Sequence, residues 1–303
     1  MVYYGITTTQ IFRKVAELLS FSKASKALYI TQSTLSQQIK QLEDELNAPL
    51  LNRNSHNVEL TEAGEVFLKD ARKVMAEAED CKARILDLNK GYSGHLNIGV
   101  THSFGSILTE TVMAFKKEYP NVLLNIRYKT VSELMELLSQ GELDFVLSFR
   151  SSEKYDNIES HLLFDNKLVI VVRDEHPLTR KNTVRLSDIE EYEMIMPSHG
   201  LQARSTFDNI IEGRGLNINI VMEANEVNAI LNILRKSNMV TVLSETTTLE
   251  KTGVVPLEIS DASCAMEGCL SICTNRYRKR SSEEFIRLLS ETNALRKRAN
   301  LWL

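Results

Sequence analysis

The 303-residue sequence predicts an α/β protein: a small helical head with a β-hairpin, one long connecting helix, and a two-lobed remainder in which strands and helices alternate. Three observations predict it. Two short helical patterns meet across Tyr29, Ile30 and Thr31. A capped helix beginning near Thr61 carries an apolar seam at heptad spacing. Beyond His95, β-forming apolar runs alternate with segments of helical period.

In the head, Phe21, Ala24, Ala27 and Leu28 fall on one face, and Leu35, Ile39, Leu42 and Leu46 on another. Thr31 is suited to cap the second helix, because its hydroxyl can accept from amides that lack a partner in the first turn. The small residues Ala24, Ser25 and Ala27 allow close approach, while Ile30 and Leu35 wedge the corner. The opposite face of the second helix presents Gln32, Ser33, Ser36, Gln37 and Lys40. Amides, hydroxyls and a cation in this arrangement are the groups that read base edges and hold phosphates in the DNA major groove. Without that function, the same segment is a helical hairpin with a polar face.

Pro49 stops the second helix, and Leu50 to Leu60 reads as two short strands around a turn from Asn52 to Asn57. Such a hairpin either places Arg53 and His56 against the DNA backbone or only covers the hydrophobic corner. Thr61 and Glu62 then open a helix that runs toward Gly91. Along it Phe67, Ala71, Val74, Ala78, Cys81, Ile85 and Leu88 alternate spacings of four and three, a seam that suits a partner helix better than packing on its own domain.

The order helix, helix-turn-helix, wing and long helix, with FSKASKALYITQSTLSQQIKQLEDELNAPLLNR and LTEAGEVFL, closely resembles the LysR-type transcriptional regulators over Thr7 to Leu68. Two positions depart from the family pattern: Ser25, where a second alanine is usual, and Gln37, where arginine is frequent. The resemblance implies operator DNA, a small-molecule inducer and further copies of the chain, as a dimer of dimers, for partners; RNA polymerase is a further candidate. Lys23, Thr31, Lys40 and Arg53 are the candidates for backbone contacts, and Gln32, Ser33, Ser36 and Gln37 for base readout. The expected boundaries are 1-60 for the winged helix-turn-helix, 61-91 for the linker helix and 92-303 for effector binding.

Composition agrees with this assignment: 43% apolar and 25% charged residues make a globular mixture. No apolar run of about eighteen residues appears, and the N-terminus lacks a basic flank with an apolar core, so no membrane partner is expected and the cytoplasm is the expected location. A net charge of -4 argues against a nonspecific nucleic-acid coat. Positive charge must be local, at Lys23, Lys26, Lys40 and Arg53, so useful affinity requires several copies on one site.

From His95, HLNIGV, VLLNIRY and LDFVLSF read as strands separated by helices over Ile107 to Tyr119 and Ser132 to Gln140, an alternation that predicts a parallel sheet. A second unit follows, with strands Leu162 to Arg173, EMIMP, INIVME and MVTVLS and helices Ala203 to Gly213 and Asn225 to Lys236. The chain returns through LSICT and closes on the helix Ser282 to Arg298. The element order resembles the periplasmic-binding-protein-type, Rossmann-like effector domain of the same family, with lobe one over about 92-162 and 268-303 and lobe two over about 163-267. The phrase EANEVNAILNILRKSNMVTVLS is similar to the cyanate-responsive members, although Ser237, Asn238 and Met239 stand where many relatives have Gly-x-Gly.

In such folds ligands meet polar residues just after strands, near helix starts with free amides. These are Thr101, His102, Ser103, Thr130 and Ser148 in the first unit and Ser198, His199 and Gln202 in the second. By resemblance, Thr101, Ser103 and Gln202 match inducer positions best, and the group suits a small anion. Helix capping is the alternative for each hydroxyl. The spacing of Cys81, Cys264, Cys269 and Cys273 fits no zinc pattern. Cys81 reads as a seam residue, and Cys264 with Cys269 as either a redox pair or buried thiols. No GxSxG, GxGxxG, GxxxxGK or HExxH motif is present, so neither enzyme activity, catalytic residues, metal nor cofactor is expected. The run Arg276 to Arg280 reads as a surface turn or subunit contact rather than a DNA contact. The competing class is a small-molecule binding protein whose head serves assembly alone.

Overall fold

The computed structural model describes residues 5–53, 58–88, 92–151, 153–181, 183–248 and 251–292. The chain separates into two compact units, one built largely on residues up to 89 and the other on residues from 90 onward.

In the first unit α1 (Ile6–Leu18) precedes α2 (Phe21–Leu28) and α3 (Gln32–Leu46). Phe12, Val15, Ala24, Leu35, Ile39 and Leu42 form its wholly buried core. Ala27, expected on the inner face of α2, is exposed, and Ser25 is buried with its hydroxyl donating to Ser22 O at 3.1 Å. The reason is helical period: 21, 24, 25 and 28 follow the i, i+3, i+4, i+7 stripe, and 27 lies off it. Tyr29 and Asn47 take left-handed conformations, φ 55° and 50°, and close α2 and α3 by donating their amides back into the last turn.

The expected hairpin forms from β1 (Leu51–Arg53) and β2 (Val58–Leu60), antiparallel with Leu51 opposite Leu60. Its turn, with His56, lies outside the described residues, as does the Arg53 side chain. Glu43 Oε1 accepts from the amides of Leu50 and Leu51 at 2.9 and 3.1 Å and so ties α3 to the hairpin. Thr61 begins α4 (Glu62–Leu88) by accepting from Gly64 N at 3.0 Å while donating to Pro49 O at 2.6 Å. A Cβ at Gly64 would meet the Leu50 carbonyl oxygen at 2.0 Å, so the helix can lie this close to the hairpin only with glycine there.

The second unit begins with β3 (Gly94–Val100), a tight turn over 102–104, α5 (Gly105–Glu118), β4 (Val122–Tyr128), α6 (Val131–Ser139) and β5 (Phe145–Phe149). The long β6 (Ile158–Arg173) follows, then β7 (Thr183–Val184), β8 (Met194–Pro197), α7 (Gln202–Ile211), β9 (Ile220–Ala224), α8 (Val227–Leu234) and β10 (Thr241–Ser244). A single-turn α9 (Glu245–Thr248), β11 (Val254–Ile259), β12 (Ala265–Cys273) and α10 (Arg280–Glu291) complete it. The final helix was expected to reach Arg298; residues 293–303 lie outside the described ones.

β3 is parallel to β4 and β5, but β12 runs antiparallel to β5 and β6, and β10 and β11 antiparallel to β6. The sheet is therefore mixed, where a parallel one was expected. β8 and β9 pair in parallel, and a bridge from Met194 to Val240 joins them toward β10. Gly268, at the register shift of β12, has no room for a side chain, because a Cβ would lie 2.5 Å from the Phe164 ring. Phe104, Phe115, Phe145 and Phe285 anchor the main core.

Candidate functional site

Gln32, Ser33, Gln37 and Lys40 are exposed on α3 and Ser36 is partly so, with Lys23 exposed on α2. Thr31 caps α3 as expected, accepting from Thr34 N at 3.1 Å, and its hydroxyl also lies 2.9 Å from Ser33 Oγ. The N-terminal turn is thus held with its amides outward, while Thr8 Oγ1, donating to Gln38 Oε1 at 3.0 Å, ties α3 to α1. One helix end, amides, hydroxyls and Lys40 share an open face whose reverse is packed on the core.

The seam on α4 divides. Phe67 packs edge-on against Phe12, centroids 5.2 Å apart, and Ala71 is buried, so these two positions are covered within the chain, contrary to the expectation for a partner helix. Ala78 is half-buried. Val74, Ile85 and Leu88 are 52%, 60% and 73% exposed, and Cys81 is exposed rather than packed.

In the second unit a narrow cleft is lined by Thr101, His102, Ser103, Thr130, Gln202 and others. It adjoins a wider, more open recess that shares His102 and Ser103 and adds Glu226, Thr246, Thr247 and Lys251. Thr101 is only 9% exposed, and its hydroxyl oxygen is buried without a partner among the described residues. His102 stacks on Tyr128 at 5.2 Å, and burial raises the Tyr128 phenol above its ordinary range. Among the described residues no side chain caps α7; Arg204 N and Ser205 N take Leu201 O, and the Gln202 and Ala203 amides at the cleft have no acceptor among those residues. Arg204, buried, holds that turn in place by donating to Asp208, to Glu223 Oε1 at 2.7 Å and to Pro197 O at 3.4 Å.

Other candidates have different tasks. Thr130 forms a capping box on α6: it accepts from Glu133 N at 3.4 Å while its own amide and hydroxyl donate to Glu133 Oε2 at 3.0 and 2.8 Å. Hydrogen bonds from Lys129 and then Thr130 hold the Glu133 carboxyl down at about 2. Ser148 does not follow β5 but lies inside it, wholly buried, with its hydroxyl donating to Phe149 O at 3.0 Å. Ser198 and His199 are absent from the cleft wall; His199 is exposed, 3.9 Å from Asp208.

Family models match both units: the bacterial regulatory helix-turn-helix protein, lysR family, over residues 6–65, and the LysR substrate binding domain over residues 89–294. The chain belongs to the LysR family of transcriptional regulators. It is 27% identical over 256 residues, 84% of this chain and 87% of the relative, to the uncharacterised HTH-type transcriptional regulator YybE of Bacillus subtilis. Among solved structures, a full-length OxyR variant from Pseudomonas aeruginosa matches with a TM-score of 0.76 at 19% identity, covering 97% of each chain. Full-length CbnR complexed with its target DNA matches at 0.66 and 19% identity, covering 95% of this chain and 99% of that one.

In this LysR-family regulator, sequence reasoning missed several cleft residues. Phe149, Val227 and Leu243 form apolar wall, Gly200 admits close approach at φ 89°, and Ser244 lines the floor. Glycine before a helix was the signal that could have found Gly200; Ser244 carried none. The thiols Cys264 and Cys269 are both raised by burial, which disfavours reactive thiolates. Both are free thiols. Among the described residues no helix is long and apolar enough to cross a membrane, and no group of His, Cys, Asp and Glu could hold a metal ion.

Proposed function

We propose that the protein is a ligand-responsive regulator, not an enzyme, which reads operator DNA in the cytoplasm and takes a small anion into the cleft of its second unit. The proposed domains are 1-60 for reading, 61-91 for assembly and 92-303 for sensing. The observation that carries the effector assignment is the buried Thr101 hydroxyl, which has no acceptor among the described residues, in the cleft where α7 begins with amides that lack one too. A desolvated donor with nothing to donate to costs free energy, and an anion seated there would recover it.

Gln32, Ser33, Ser36 and Gln37 would read bases, and Lys23, Thr31, Lys40 and Arg53 would contact the backbone. The exposed polar face of α3 and the DNA complex of the structurally similar CbnR support this. Few cations per head make pairing necessary. Val74, Ala78, Cys81, Ile85 and Leu88 of α4 would meet a second copy, and two dimers would assemble into a tetramer; RNA polymerase is a further proposed partner. Effector binding would bias the packing of the sensing domains and thereby the spacing of the heads.

Isothermal titration of the full chain with small carboxylates and inorganic anions, on wild type and on Thr101→Ala, tests the effector assignment. Heat from at least one anion, lost or much reduced in the variant, is expected; no heat from any anion, or identical binding in both, overturns it.

A further inference from the structure

The second helix of the head ends on a residue that the head alone does not explain. Tyr29 takes the left-handed position, φ 55° and ψ 38°, that closes α2; its amide donates to Lys26 O at 3.3 Å, and that of Ile30 to Ser25 O at 3.1 Å. Glycine is the usual occupant of such a position, because a Cβ there crowds the following carbonyl oxygen. Asn47 closes α3 in the same way with a side chain that tolerates the conformation, and Leu19, which closes α1, is 49% exposed. Tyr29 is 96% exposed. A large ring thus sits in an unfavourable backbone conformation and recovers almost nothing by packing on its own chain.

Charge indicates what covers that ring. From Leu19 to Leu42 the chain carries three lysines, Lys23, Lys26 and Lys40, and no acidic residue, although it has forty Asp and Glu in 303 residues. All three lysines are exposed, Lys26 in the last turn of α2, three positions before Tyr29. Two residues beyond Tyr29 stands Thr31, the cap of α3, followed by the exposed Gln32 and Ser33. An acid-free, lysine-bearing stretch around an uncovered aromatic suits a polyanion. When α3 enters a major groove, the helix before it crosses the phosphate backbone, and the turn between them lies beside that strand.

We propose that Tyr29 is a DNA contact, its ring laid against a deoxyribose and its phenol donating to a phosphate of the strand that flanks α3. The inference rests on the reading of α3 given above and extends it to the turn before that helix. The contact is uncharged and blind to sequence: it positions the head and adds affinity for any duplex without releasing a counterion. It also offsets the shortage of cations in each head.

Fluorescence anisotropy of the full chain on two duplexes, the intergenic DNA beside its own gene and a random sequence, compares wild type, Tyr29→Gly, Tyr29→Phe and Gln32→Ala. Tyr29→Gly should weaken binding about tenfold on both duplexes with the salt slope of wild type, and Tyr29→Phe about threefold, since it keeps the ring and loses one hydrogen bond. Glycine relieves the backbone, so the head should melt at the wild-type Tm or above it in Tyr29→Gly. Gln32→Ala should weaken the intergenic duplex alone. Unchanged binding by Tyr29→Gly, or a loss confined to the intergenic duplex, overturns the proposal. So does dissociation of the oligomer in Tyr29→Gly by light scattering, because the ring would then cover a second copy. A head that melts lower with glycine leaves the decision to Tyr29→Phe, where wild-type affinity overturns the contact. If Gln32→Ala loses nothing while Tyr29→Gly loses on both duplexes, base readout by α3 fails and the contact at Tyr29 stands; if wild type binds neither duplex, both fail.

Discussion

Replacing Thr101 by valine should make the protein more stable and less responsive. The two side chains have nearly the same shape, so the change removes one hydroxyl from a site that is 9% exposed, where that hydroxyl has no partner among the described residues. An unpaired buried hydroxyl costs about 1–3 kcal/mol, so Thr101→Val should gain on the order of 1 kcal/mol in the ligand-free state. For a domain the size of the second unit, that corresponds to a rise in Tm of roughly 2–4 °C. With a bound anion the sign reverses, because the hydroxyl then makes a charge-assisted bond whose loss weakens binding about 10- to 100-fold. An anion at 100 times its Kd stabilises the wild type by about 2.7 kcal/mol, and in the variant at the same concentration that increment should fall to about 0.4–1.4 kcal/mol. Calorimetric melts with and without anion read both effects. A variant that melts lower than wild type without ligand, yet keeps its anion-dependent shift, would refute the reasoning.

Further outcomes follow from other sites. Gly64→Ala should lower the stability of the head by about 1–3 kcal/mol or more, because its Cβ would lie 2.0 Å from the Leu50 carbonyl; melting of the head checks this, and an unchanged Tm contradicts it. His176 is buried, its Nε2 donating to Asn238 O at 3.1 Å and its Nδ1 accepting from Leu178 N at 3.2 Å, and burial pushes its pKa below the usual 6.5. The unfolded chain then binds the proton more readily. Stability from this group is full above pH 6.5 and falls as the pH drops below it, by at most about 1.4 kcal/mol per pH unit, and His176→Gln should flatten that slope in melts from pH 7.5 to 5.5. Gln37→Arg adds a cation to the exposed face of α3, so DNA affinity should rise for most sequences while the preference for one narrows; competition gel shifts with specific and random duplexes check this.

The head was legible because local signals set it: the Thr31 cap, the Thr61–Gly64 turn and the stripes on α2 and α3 all act within a few residues. Its errors were errors of phase, as at Ala27. In the second unit element order was readable, but β11 was hidden by Pro256, which a strand tolerates there because β7 pairs with β11 only at Glu258 and Ile259. Ser148 was expected to follow β5 on the assumption that the strand ends at Leu147, but it runs two residues further, to Phe149. The hydrogen bonds from Asn166 to Thr246 and from Thr247 to Ser103 join residues 80 and 144 positions apart, and no local pattern announces them. Thr130 was correctly suspected of capping, yet the capping box with Glu133 was in plain sequence, T-V-S-E.

The central claim, a regulator with paired reading heads controlled from the cleft, is tested most directly by fluorescence anisotropy of the full chain on the intergenic DNA beside its own gene. Specific binding by an oligomer is predicted, with affinity falling steeply as salt rises, much reduced by Gln32→Ala, and changed by an anion that Thr101→Val no longer senses. A monomer at micromolar concentration, or binding no tighter than to random duplex, would contradict it.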